Sequence, residues 1–242
     1  MIKKRVADIA GILFDKDGTL IRYDDSWGPV NREAARIAAA GDIELEPRLL
    51  LAAGMDPVSG LTRADSLFAA GNAGEIALGF AAAGSPVDAV ELTRLLDDLF
   101  VRATEFAVPV TDLLSLFTRL KARGLRLGIA SSDNELSIRQ TAERFGIIGH
   151  VDFVAGYDSG FGTKPDPGMV YGFCAATGIE PSKVVMVGDN NHDLHMGRSA
   201  GVGLKVAVLS GTGSRETLSN AADIVLDDIS SLDDLLTGSM GS

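Results

Sequence analysis

The segment Phe14-Asp15-Lys16-Asp17-Gly18-Thr19-Leu20 sets two carboxylates two positions apart where an apolar run ends. On extended backbone, residues i and i+2 project to the same side, so Asp15 and Asp17 converge on one spot. Carboxylates held that close repel each other unless a cation or a shared proton relieves them. Gly18 permits a sharp turn, and Thr19 offers a hydroxyl to tie back to the loop. A solvated Asp-rich turn is the bland alternative. A calcium loop fits less well, because Asp-x-Asp-Gly lacks the third ligand position and the closing Glu of an EF-hand. Further along the chain come Ser131-Ser132, then Gly160-Phe161-Gly162-Thr163-Lys164-Pro165, then Gly188-Asp189-Asn190-Asn191-His192-Asp193. Singly, these read as a helix-capping serine, a Gly/Pro turn and an acidic capping loop. Together they put hydroxyls, a lysine and carboxylates at the ends of successive apolar runs, which defines one crevice.

The elements that must position them alternate. Ile9–Phe14, Leu125–Ala130, Val151–Ala155, Val184–Val187, Leu204–Val208 and Ile224–Leu226 are short apolar runs that read as buried strands. Between them, Asp112–Lys121 carries Leu113, Leu116, Phe117 and Leu120 on one stripe, with Gly124 as a stop. Asn134 caps a helix to Phe145, and Pro167 opens one to Thr177. Strand–helix alternation from about residue 110 onward predicts an α/β fold with an open parallel, Rossmann-like sheet. The segment 21–108 breaks that rhythm with Ala-rich helices. Pro29–Ala40 is one, Asn72 with Glu75 forms a capping box for another, and Ser85-Pro86 opens a long third with Leu92, Leu95, Leu96 and Leu99 on its apolar stripe. A helical insert after the first strand suggests a lid over the carboxyl ends of the strands, where such sheets bind ligands. The expected division is a discontinuous core, 1–20 and 109–237, a small helical cap, 21–108, and a flexible tail, 238–242.

The composition narrows the function. The chain has 242 residues, 46% of them hydrophobic, and a net charge of −11, so it can bury a core but offers no Lys/Arg cluster for a nucleic acid. The one cysteine, Cys174, cannot form an intrachain disulfide and reads as a helix packing residue. The apolar run near the amino end is interrupted by Asp15 and is too short for a membrane span or a secretory signal, so a cytoplasmic location without a membrane partner is expected.

In order along the chain, Asp15-Lys16-Asp17-Gly18-Thr19-Leu20, Ser131, Lys164 and Gly188-Asp189-x-x-x-Asp193 resemble the motifs of the haloacid dehalogenase-like hydrolase superfamily, in its phosphoglycolate-phosphatase-like group. The resemblance spans nearly the whole chain, and the insert falls where that family carries its first cap. It implies a phosphatase in which Asp15 is the nucleophile and forms an aspartyl-phosphate. Mg²⁺ would be held by Asp15, Asp189 and the main-chain carbonyl of Asp17. Asp193 would hold a metal-bound water or orient Lys164, and Lys164 would neutralise the phosphate dianion. Asp17 would be general acid and then general base. Ser131, with Ser132 and the Gly18-Thr19 turn, would grip phosphoryl oxygens. Lys16 stands where a hydrophobic residue is frequent, and its side chain is expected to point away from the crevice.

The implied substrate is a small phosphorylated metabolite, with 2-phosphoglycolate as the default, and the implied assembly is a monomer or homodimer. Arg63, in Gly60-Leu61-Thr62-Arg63, loosely resembles the cap loop by which β-phosphoglucomutases meet a distal anion, so a phosphomutase is the nearest rival. A solvated arginine is the simpler reading. A phospho-receiver module is a rival of another class, although receivers are shorter and carry no helical insert. His192 and His195 read as structural, Gly211-Thr212-Gly213 as a turn and Trp27 as cap packing.

Overall fold

The computed structural model describes residues 6–237, so Met1 to Arg5 and the tail expected at 238–242 lie outside the described residues. Its six-stranded sheet runs β1 (Gly11–Phe14), β2 (Arg126–Ala130), β3 (Phe153–Ala155), β4 (Val184–Gly188), β5 (Leu204–Val208) and β6 (Ile224–Leu226) along the chain. The spatial order is β3-β2-β1-β4-β5-β6, and every neighbouring pair is parallel. Each of the six apolar runs thus forms a strand: the first three are shortened by one or two residues at their start, the fourth extends by one to Gly188, and the last two keep their bounds.

β1 lies between β2 and β4, with Ile12 paired to Leu127 on one side and to Val185 on the other. All of its residues are buried, which is why it reads as an unbroken apolar run rather than an alternating one. One face of the sheet packs Ile12, Phe14, Leu127 and Val185 against the helix Leu113–Ala122. The other packs Leu13 and Met186 against Phe173 of the helix Gly168–Thr177 and Met196 of the helix Asn191–Ala200. Strand order reverses between β1 and β4, the point at which open α/β sheets leave a crevice at their carboxyl ends. Asp15 directly follows β1 and Asp189 directly follows β4.

The insert folds into the helices Tyr23–Ala39, Glu46–Ala53, Leu67–Ala70, Ala73–Ala82 and Ala89–Ala103, which bury a hydrophobic cluster separate from those of the sheet. Two helix starts differ from the sequence expectation. The first helix begins at Tyr23, leaving Pro29 inside it. Tyr23, Trp27, Val30 and Ala34 make one buried stripe, and burying it outweighs the hydrogen bond that proline removes. The last begins at Ala89, because Asp88 accepts from the amides of Val90 (3.0 Å) and Glu91 (3.3 Å). Ser85 instead donates to the Ala38 carbonyl at 2.6 Å, tying this loop to the first helix. The capping box of Asn72 and Glu75 forms as expected.

The two crossings between insert and sheet run side by side. Arg22 N donates to Val108 O at 2.8 Å and Val110 N to Leu20 O at 3.0 Å, around an antiparallel bridge between Ile21 and Pro109. No helix among the described residues is long and apolar enough to cross a membrane.

Candidate active site

The crevice lies between the carboxyl ends of the strands and the insert, and Asp15, Asp17, Ser131, Ser132, Lys164, Asp189 and Asp193 all line it. Asp15, Asp189 and Asp193 can bring one carboxylate oxygen each within 4.8 Å of the others, and all are buried. Asp15 N is held by Val187 O at 2.8 Å, which locks the residue to the end of β4. Asp193 sits in the first turn of the helix Asn191–Ala200, whose cap Asn190 accepts from His192 N at 3.0 Å. A Cβ on Gly188 would lie 2.3 Å from the Asp193 side chain, so only glycine lets this helix start so close to its strand.

Lys164 Nζ donates to Asp15 Oδ1 and, at 2.6 Å, to Asp193 Oδ1. Burial alone would lower the Lys164 pKa, but Asp15 and Asp193 outweigh it and hold the ammonium more firmly protonated than usual. Burial pushes Asp15 up to about 6 against the pull of Lys164, with Asp193 adding to the rise. Asp189 is pushed well above the ordinary carboxylate range, first by burial and then by Asp15 and Asp193. Carboxylates in that state are short of positive charge. An all-oxygen, anionic donor set of this kind fits a hard divalent cation.

Asp17 is held apart from this cluster. Its Oδ1 accepts from Trp27 Nε1 at 2.6 Å and from Lys16 Nζ at 2.8 Å, and its Oδ2 from the Ser131 hydroxyl at 3.4 Å. Burial raises its pKa to about 6, with Lys16 opposing. One carboxylate therefore faces Lys164 and the acidic cluster, and the other is gripped by donors of its own.

The profile of the haloacid dehalogenase-like hydrolases matches residues 9–201, which include every one of these side chains. The chain belongs to the haloacid dehalogenase-like hydrolases. Among relatives of this hydrolase, the phosphoglycolate phosphatase of Rhodospirillum rubrum is 35% identical over 51% of this chain and 51% of its own length. The N-acetylmuramic acid 6-phosphate phosphatase of Pseudomonas aeruginosa is 25% identical over 80% of this chain and 79% of its own. The chain spans about half the length of the first relatives it matches. CbbY from Rhodobacter sphaeroides, solved with phosphate, shares the fold with a TM-score of 0.70 at 20% identity, covering 93% of this chain and 96% of that one.

Some parts of this hydrolase's site differ from the sequence expectation. Gly18 and Thr19 do not line the crevice. Gly18 has φ +84°, and a Cβ there would meet the Asp189 carboxylate at 2.6 Å, so its role is to let two loops approach. The Thr19 hydroxyl is buried with no partner and does not tie back to the loop. Arg63 is exposed and stands outside the crevice. Lys16 points off the crevice as expected but is far from idle: buried, it pairs with Asp17 at 2.8 Å and Asp133 at 2.9 Å.

Three contributors were not legible as such. Trp27 belongs to the insert and reaches back to Asp17. In the Gly211-Thr212-Gly213 turn, Thr212 N donates to Asp189 Oδ2 at 2.8 Å, and a Cβ on Gly211 would fall 1.9 Å from that oxygen. Two glycines around a threonine after an apolar run were the available signal. His192 lines the crevice, and burial pushes its pKa down.

Proposed function

We propose that this protein is a Mg²⁺-dependent phosphatase that hydrolyses a small phosphomonoester through an aspartyl-phosphate on Asp15. The observation that carries the reading is the division of labour between two carboxylates two residues apart. Asp15 shares Lys164 with an acidic cluster, whereas Asp17 has Trp27, Lys16 and Ser131 for partners. Asp15, Asp189 and Asp193, with the main-chain carbonyl of Asp17, are the groups proposed to hold the metal or its water. Bound there, Mg²⁺ supplies positive charge that lets a phosphate dianion approach a carboxylate.

In this reading a carboxylate oxygen of Asp15 attacks phosphorus in line with the ester oxygen. The new O–P bond forms as the P–O bond to the alcohol breaks, and protonated Asp17 gives its proton to the departing oxygen. Asp17, now ionised, takes a proton from water, whose oxygen attacks phosphorus and releases orthophosphate and the free Asp15 carboxylate. A pKa raised to about 6 suits a group that must be acid and base in turn. Lys164 offsets charge on the phosphoryl oxygens, and Ser131 and Ser132 line their side of the crevice. The insert acts as a cap that excludes bulk water.

The names of the relatives make 2-phosphoglycolate the reference substrate. A mutase would use a cap-borne cation for a distal phosphate, and Arg63, the residue considered for it, stands outside the crevice. The test is release of p-nitrophenol from p-nitrophenyl phosphate with Mg²⁺ and after exhaustive chelation. Many turnovers with metal and none without support the reading. Metal-independent turnover contradicts the metal assignment, and at most one phosphoryl group per chain contradicts the phosphatase.

A further inference from the structure

The lining of the crevice beyond Lys164 and the catalytic carboxylates has a consistent chemistry. Its wall on the insert side is mostly apolar, made by Trp27, Phe68, Ile76 and Phe100, with Tyr23 and Asn31 hydrogen-bonded to each other beside them. Two of its polar side chains, Asn190 and His192, are neutral and keep an unmet nitrogen. The Asn190 Oδ1 is occupied by the His192 amide, which leaves its Nδ2 as the free end, and that nitrogen is buried without a hydrogen-bond partner. The His192 Nδ1 is likewise buried and unpartnered. Both residues line the crevice, and Asn190 is only 5% exposed. A buried donor without a partner is costly, so a site that keeps one is built to have it met by a ligand.

Charge at this end is negative. Among the described residues lining the crevice, Lys164 is the one lysine or arginine, and Asp15 and Asp193 already hold its ammonium. Asp65 and Glu75 lie within electrostatic reach of His192, and Asp65 accepts from Asn191 Nδ2 at 3.0 Å, joining the insert to the helix Asn191–Ala200. A second anion on the substrate would lose its hydration here and gain no cation in return.

We propose that the leaving group this crevice prefers is a small uncharged alcohol carrying hydroxyls, met by Asn190 and His192 against the apolar wall, and that a second anion is selected against. The proposal rests on the phosphatase reading and goes beyond it, because it turns away from 2-phosphoglycolate. An amide nitrogen and an imidazole nitrogen suit hydroxyl groups, and the aromatic wall suits a carbon skeleton.

Matched pairs test it with Mg²⁺ present. 2-Hydroxyethyl phosphate differs from 2-phosphoglycolate only in carrying a CH₂OH for the carboxylate, and glycerol 3-phosphate stands in the same relation to 3-phosphoglycerate. The expected result is a kcat/KM at least tenfold higher for the uncharged member of each pair. A smaller ratio in both pairs, or a preference for the carboxylates, overturns the proposal. A second arm uses Ala70→Arg, since Ala70 lines the crevice and is only half-buried, so a longer side chain there need not disturb the fold. This cation should move the ratio toward 2-phosphoglycolate at least fivefold, and an unmoved ratio overturns the assignment of this wall to the leaving group. Failure to cleave even p-nitrophenyl phosphate would contradict the phosphatase reading instead.

Discussion

The indole nitrogen of Trp27 donates to Asp17 Oδ1 at 2.6 Å, so a side chain of the insert directly grips a carboxylate that follows the first strand of the sheet. Trp27 is also packed edge-on against Phe100, with ring centroids 5.0 Å apart, and Lys16 Nζ lies 5.2 Å from its ring. Asp17 is therefore fully held only while the insert is seated. A hydrogen bond to a charged group contributes about 1.5–3 kcal/mol, which corresponds to roughly tenfold or more in rate if it positions the acid. Trp27→Phe keeps most of the ring and removes the donor. It should lower kcat by about tenfold on an alkyl phosphate and clearly less on p-nitrophenyl phosphate, whose leaving group needs little protonation. Equal losses on the two substrates would show that Trp27 only packs.

The pKa shifts set a pH dependence for the metal-free protein. Asp15 and Asp17 stand near 6 in the fold against 3.8 for the free side chain, and Asp189 is raised as well. Folding therefore takes up protons between about pH 4 and 6, and the stability these groups allow at low pH is lost as pH rises through that window. A divalent cation competes with those protons, so the gain in Tm on adding Mg²⁺ should be larger at pH 7.5 than at pH 5. Thermal melts at the two pH values check this, and a larger gain at pH 5 would contradict the ligand assignment.

Gly211 has no room for a side chain beside Asp189. Gly211→Ala should displace the turn that carries Thr212 and disturb the carboxylate it holds. We expect the Mg²⁺ concentration for half-maximal activity to rise at least fivefold, and Asp189→Ala to raise it further. Metal titrations of activity measure both, and an unchanged requirement in Asp189→Ala would move the ligand elsewhere.

The insert is also tied to the loops that follow β2 and β3 through Asp97, which accepts from Asn134 Nδ2 at 3.2 Å and from the Tyr157 hydroxyl at 2.8 Å. Burial raises the Asp97 pKa, so this contact is partly desolvated. Asp97→Ala should loosen the insert and speed limited proteolysis at the crossings near 21–23 and 108–111, with vanadate and Mg²⁺ restoring protection. Identical cleavage rates in the variant and the parent chain would contradict a role for this latch.

What the sequence made legible follows from locality. Asp15 and Ser131 stand directly after apolar runs and Asp189 one glycine beyond another, so recognising the strands was enough to bring them to one edge of the sheet. Lys164 needed only the motif order. The remainder depends on where the insert lies. Trp27 could be placed at Asp17 only by knowing that its helix starts at Tyr23 rather than at Pro29, and a buried stripe overrode that proline signal. Lys16 was expected to point off the crevice, yet its ion pair with Asp133 joins residues far apart in the chain, which no spacing reveals. The Gly211-Thr212-Gly213 turn was legible as a turn but not as the support of Asp189, because β5 had first to be placed beside β4.

The most direct measurement is the site of covalent phosphorylation. Asp17→Asn keeps Asp15 and, on the proposed mechanism, should slow both half-reactions, least so the first when p-nitrophenolate leaves. Mixed with p-nitrophenyl phosphate and Mg²⁺, quenched rapidly in acid and digested, this variant should show a phosphoryl group on the peptide containing Asp15, and Asp15→Asn should show neither label nor turnover. A phosphoryl group on any other residue, or turnover by Asp15→Asn comparable to the parent chain, would contradict the account.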